Sequence, residues 1–112
     1  MNTKTYTYGN GDRYEIRPLN KRLEAQCAGE LSKQNLSFTI QNAPLEATIE
    51  LCILHAKRTA VSMTKKDSTS PISRDELDKL IETYDALCTW ITTKGHEFQA
   101  DLDKEFAAEV KN

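Results

Sequence analysis

Apolar residues recur at helical spacing through residues 44–63. Leu45, Ile49, Cys52, Ile53, Ala56, Ala60 and Met63 fall on one stripe, since side chains three and four apart share a face. Leu51, Leu54 and Val61 widen that stripe onto the flank, so the pattern predicts a central helix more buried than any other element. Asn42, Ala43 and Pro44 open it, because proline is tolerated in a first turn where its missing donor would be unpaired anyway; the element is expected over 42–63. Nearer the start, Thr and Tyr alternate over residues 4–8, Gly9-Asn10-Gly11-Asp12 tolerates positive φ, and alternation resumes over 13–19 until Pro18 removes a ladder donor. That is a β-hairpin, with Tyr6 and Tyr8 on one face of the first strand and Tyr14 and Ile16 on one face of the second. Asn20 is a natural N-cap for a helix to about residue 34, carrying Leu23, Cys27 and Leu31 on one side. Leu36, Phe38 and Ile40 then alternate with Ser37, Thr39 and Gln41, which predicts a third strand over 36–41 added to the hairpin.

Residues 64–72, TKKDSTSPI, read as a flexible polar linker. Ser73-Arg74-Asp75-Glu76 is a capping box that starts a helix, and Leu77, Leu80, Ile81, Tyr84, Leu87, Cys88 and Ile91 follow at three and four spacing. Gly95 is placed to end that helix, after which Phe98, Leu102, Phe106 and Val110 recur every four residues. Two outcomes remain open over 73–110: a short final helix that folds back, or one long helix whose projecting apolar stripe needs a partner, either another protein or a second copy. The expected architecture is α+β: an N-terminal antiparallel β-hairpin plus a third short strand, packed on three to four helices. One domain is expected over 1–112, made of a small sheet with one helix (1–41), the central helix (42–63), the linker (64–72) and a C-terminal helical part (73–112).

Composition narrows the function classes. With 112 residues the chain can build one modest core, and 38% hydrophobic with 29% charged residues lies in the folding range. No apolar run is long enough to span a membrane and the first fifteen residues lack a secretory apolar stretch, so a cytoplasmic location is expected. Cys27, Cys52 and Cys88 have no paired spacing and sit on apolar stripes, which favours core packing for all three. His55 and His96 lack a second ligand at metal spacing, so no metal or cofactor is expected. Cys52 and His55 lie three apart, but nucleophilic use would require a hydrogen bond and a third orienting group. Neither a nucleophile elbow nor a phosphate-binding glycine loop occurs, and the carboxylates of the C-terminal half fall on a solvated helix face, so catalysis is not expected.

The formal charge of −2 conceals a split. Residues 1–72 carry 10 Lys/Arg against 7 Asp/Glu, and residues 73–112 carry 5 against 10. An acidic half repels nucleic acid, and Lys57, Arg58, Lys65 and Lys66 form a small cluster without aromatics, so a nucleic-acid-binding regulator is the lesser alternative. Binding of another protein is the expected activity. Its candidate residues are Trp90, Tyr84, Phe98 and Phe106 as apolar anchors, with Asp78, Glu82 and Asp85 as acidic contacts.

The segment TYTYGNGDRYEIRPL, followed by a helix and the late block ISRDELDKLIETYDALCTW, resembles the layout of tail assembly chaperones of tailed phages. That resemblance implies a short N-terminal β element ending in a segment similar to YEIRPL, and a helical body that binds the tape-measure protein during tail assembly. Size and acidity are also similar to phage-encoded inhibitors of host defence, such as anti-CRISPR proteins. That likeness implies an acidic helix from Arg74 that imitates nucleic acid or covers a basic groove.

Overall fold

A computed structural model of the chain describes residues 2–33 and 45–111. Its N-terminal hairpin pairs β1 (Lys4–Thr7) with β2 (Arg13–Ile16) in antiparallel register, Tyr6 opposite Tyr14 and Lys4 opposite Ile16. Between them the amide of Tyr8 donates to the carbonyl of Asp12 and that of Gly11 donates to Tyr8, with Gly11 at φ +94°, a conformation that side chains on Cβ oppose. Asn20 caps α1 (Lys21–Lys33) by accepting from the amide of Leu23 at 2.8 Å. Leu23, Cys27 and Leu31 are the buried face of this helix, as their spacing requires.

The sheet is three-stranded and antiparallel in the order β1-β2-β3, which makes the fold α+β. The expected strand over 36–41 lies outside the described residues. The observed third strand is β3 (Ala60–Thr64), cut from what the spacing assigns to the central helix, so α2 runs only from Leu45 to Thr59. The difference has a physical origin. Opposite Glu15 and Ile16 the register shifts, with Glu15 facing Ser62 and Ile16 facing Ala60, so Val61 is the extra residue of a bulge. The bulge turns both Ala60 and Met63 inward at a separation of three, which imitates a helical stripe continuing from Ala56. The carbonyl of Thr59 accepts from the amide of Arg17 rather than continuing a helical ladder. Arg74 holds the joint by donating to the carbonyls of Lys57 and Ala60.

The central helix is also less buried than expected. Only Ala47, Ala56 and Thr59 of α2 are buried, while Leu45 is 75% exposed and Ile49 49% exposed. Small residues lie where α2 is most enclosed, and the bulky ones fall on its flanks. From α2 the main core takes the buried Ala56, with Ile53 packed against it; its other members come from Tyr14 and Ile16 of β2, Ala60 and Met63 of β3, and the helices that follow. A second cluster joins Leu19, Leu23 and Cys27 to the half-buried Leu51 and Leu54.

Residues 65–73 are held rather than free. The guanidinium of Arg13 donates to the carbonyls of Lys66 and Ser68, the amide of Lys66 donates to Asp12, and the amide of Ile72 donates to Met63. Ser73 then caps α3 (Arg74–Thr83), accepting from the amide of Glu76 at 3.2 Å. The chain breaks at Tyr84, in extended conformation, and re-forms as α4 (Asp85–Lys111). Two helices therefore cover 74–111, and the break is at Tyr84, not at Gly95. Gly95 sits inside α4, where a Cβ would lie 2.6 Å from Thr59 Cγ2 and 2.9 Å from Leu19 Cβ. Its carbonyl accepts from the amide of Leu19 at 3.0 Å. Glycine here permits close approach between elements; it does not end a helix. Leu87, Cys88, Ile91 and Phe98 of α4 are buried, whereas the last turns run out past the body. The Cα radius of gyration, 15.4 Å, exceeds the value of about 13 Å for a compact chain of this length.

Candidate functional site

The anchors expected from sequence divide between core and surface. Trp90 is packed edge-on against Tyr8 (centroids 4.9 Å apart) and Tyr14 (5.4 Å), which closes the tyrosine face of the hairpin against α4. It is half-buried and spent on the fold, so it is not a free anchor. Phe98 is 8% exposed and belongs to the body as well. Tyr84 is 56% exposed at the α3–α4 break, beside a cleft of about 380 Å³ that it lines with Tyr8, Tyr14, Leu80 and Leu87. The hydroxyl of Tyr14 is pushed up to about 12 by burial, with Asp12 and Tyr8 adding to the shift.

Two of the three acidic candidates are occupied within the chain. Asp78 accepts from Arg74 at 2.6 Å, and Glu82 pairs with Lys57. Asp85 is exposed in the first turn of α4, where a carboxylate suits the helix dipole. Half of the basic cluster is similarly engaged: besides the Lys57 pair, Arg58 meets Glu30 at 3.2 Å, while Lys65 and Lys66 are exposed and have no ion pair among the described residues.

Besides Tyr84, Phe106 is the apolar candidate left in solvent, at 67% exposure, and Val110 beside it is 68% exposed. Together with Leu102 and the buried Phe98 they form one row along α4, each four residues from the next. Burial falls along that row from Phe98, through half-buried Leu102, to Phe106 and Val110, where the helix has left the body. On the β1 side the row faces an open groove of about 530 Å³, lined by Thr3, Lys4, Phe98, Asp101, Leu102, Lys104 and Glu105. Tyr6, on β1, has the ammonium groups of Lys4 and Lys94 over its ring, at 5.4 and 5.7 Å from its centroid. Burial raises the Tyr6 hydroxyl above its ordinary value, with Asp101 and Glu97 pushing the same way. Phe106 and Tyr84 are separated by 22 residues, about 33 Å along a helix, so the sequence candidates do not converge on one patch. Leu102 and Val110 belong with Phe106; their four-residue spacing is the signal that could have placed them in the site.

No nucleophile emerges from the cysteines. Burial raises the thiols of Cys27 and Cys88, and Cys88 donates weakly to the carbonyl of Cys52. Cys52 is exposed, against the expectation that all three cysteines pack in the core. His55 keeps Nε2 buried with no hydrogen-bond partner among the described residues, so no base is aligned with the Cys52 thiol. Among the described residues no group of three His, Cys, Asp or Glu side chains is gathered to hold a metal ion, and no helix is long and apolar enough to cross a membrane. The chemistry on offer at the exposed row is therefore apolar contact bordered by charge. No protein-family model matches this chain, and neither does any curated protein or solved structure.

Proposed function

We propose that this chain is a non-catalytic accessory protein that binds another protein through the distal half of α4, in the manner of the phage tail assembly chaperones it resembles. The observation that carries the reading is the exposure of Phe106 and Val110, two adjacent large apolar side chains on a continuous helix, in line with residues that bury into the body. An apolar row that leaves the core in register gains from a partner that covers it. The defence-inhibitor alternative has less support, because Asp78 and Glu82 are neutralised within the chain. A nucleic-acid role loses support too, since Lys57 and Arg58 are paired with glutamates and leave only Lys65 and Lys66 of the basic cluster without an ion pair among the described residues.

The test is affinity capture by the full chain and by Phe106→Glu from cells that natively make it. The expected result is a protein retained by the parent and lost from the variant, with both melting alike because position 106 is exposed. Equal retention by the two would refute the reading.

A further inference from the structure

The row beside the apolar one carries a pattern of its own. Glu97, Asp101, Glu105 and Glu109 each stand one residue before Phe98, Leu102, Phe106 and Val110, so a file of four carboxylates runs parallel to the four apolar side chains. All four are exposed. Lys94 meets Glu97 at 3.1 Å, and among the described residues Asp101, Glu105 and Glu109 have no ion pair. The opposite flank of the apolar row adds Asp103, which is exposed and accepts only from Gln99. From Phe98 to Val110 the row spans twelve residues, about 18 Å of helix.

We infer that the partner covering this face is a basic amphipathic helix, one that lays its own apolar row on Leu102, Phe106 and Val110 and sets Lys or Arg side chains opposite Asp101, Glu105 and Glu109. This rests on the protein-binding reading and names the chemistry of the partner. Two features of the face carry it. The apolar residues follow an i+4 row, the ridge along which two helices interlock, crossing at about −50° when both use such rows. The carboxylates repeat at the same interval on one side, so a helix with cations at matching spacing meets all of them at once. A second copy fits poorly. Two such helices related by an antiparallel two-fold axis bring the acidic file of one against the acidic file of the other, and like charges at that distance repel. The stretch Glu97–Val110 contains five acidic residues and only Lys104 as a base, which leaves little to offset that repulsion.

The test uses the full chain and two synthetic helical peptides of about twenty residues, both with leucine in one i+4 row, one with lysine and the other with glutamate in the adjoining row. Fluorescence anisotropy should show binding of the lysine peptide and none of the glutamate peptide, with affinity falling about tenfold on raising salt. Phe106→Asp should weaken the lysine peptide about tenfold. The double variant Glu105→Lys and Glu109→Lys should move the preference toward the glutamate peptide. Equal binding of both peptides, or an unmoved preference in the double variant, overturns the inference. So does failure of both peptides to bind while Phe106-dependent capture of a cellular protein persists, a result that leaves the protein-binding reading intact. Sedimentation as a dimer dissociated by Phe106→Asp would make the partner a second copy and overturn the inference too. Capture unaffected by Phe106→Glu would instead remove the reading beneath it.

Discussion

Gly95→Ala and Gly29→Ala should change stability in opposite directions, although both replace a helical glycine. In α1, a Cβ at Gly29 would meet nothing within 4 Å, so alanine there recovers the propensity that glycine forfeits, about 0.5–1 kcal/mol. In α4, the same Cβ at Gly95 would lie 2.6 Å from Thr59 Cγ2 and 2.9 Å from Leu19 Cβ, where carbon atoms normally stand 3.5–4.0 Å apart. Neither neighbour can yield cheaply. Thr59 is fully buried and β-branched, so its rotamer is stiff, and Leu19 is tied to Gly95 by the bond from its amide. Relief therefore requires α4 to move away from both. Overpacking of that kind costs about 1–3 kcal/mol, and stretching the Leu19 amide bond adds about 1 kcal/mol. Set against the propensity gain, the net loss is about 2 kcal/mol. The midpoint should fall by about 8 °C for Gly95→Ala and rise by about 3 °C for Gly29→Ala. Urea and thermal unfolding followed by far-ultraviolet circular dichroism measure both. If Gly95→Ala stabilised the protein as Gly29→Ala does, α4 could not approach Leu19 and Thr59 as described, and the docking of α4 on the α2–β3 joint would be wrong.

Trp90→Ala should cost about 3 kcal/mol, because it removes the ring that two hairpin tyrosines pack against edge-on; a urea midpoint close to the parent's would mean that Trp90 is a surface anchor after all. Ile53→Asp should be survivable at a cost of about 1–2 kcal/mol, because Ile53 is only half-buried. Ile91→Asp, at a position with no exposure, should leave no cooperative transition at all. The pH dependence centres on His55, which burial holds below the ordinary histidine value of 6.5, with Glu24 opposing and His96 reinforcing that shift. The unfolded chain then takes up a proton below 6.5 that the native state resists, so this contribution to stability is complete above that pH and is lost as pH falls through the native value. His55→Gln should flatten the fall in urea midpoint between about pH 7 and 5 relative to the parent; identical slopes would show that His55 titrates freely.

The candidate surface is partly legible in the order of residues. The four-residue recurrence of Phe98, Leu102, Phe106 and Val110 marks a stripe in want of a partner, and Phe106 stands exposed as that expectation requires. Exposure of the row, however, depends on where the body of the protein stops, and no local pattern records that. For the same reason Trp90 and Phe98 look like surface anchors in the sequence. Their fate depends on the tyrosine face of a hairpin eighty residues earlier and on the groove beside β1.

What neighbouring residues decide, the sequence alone determined: the hairpin around a glycine at φ +94°, the Asn20 and Ser73 caps, and the buried face of α1. Each is settled by groups within a few positions of one another, through steric limits on φ and hydrogen bonds that close locally. The third strand, the continuity of α4 through Gly95 and the exposure of Leu45 and Ile49 were decided only in the tertiary structure. At Ala60 and Met63 a bulge wrote helical spacing into a strand, and at Gly95 a missing side chain made room for Leu19 and Thr59. Spacing records which residues can share a face; whether that face meets a strand, another helix or water is set by partners distant in the chain, whose packing free energy outweighs local preference.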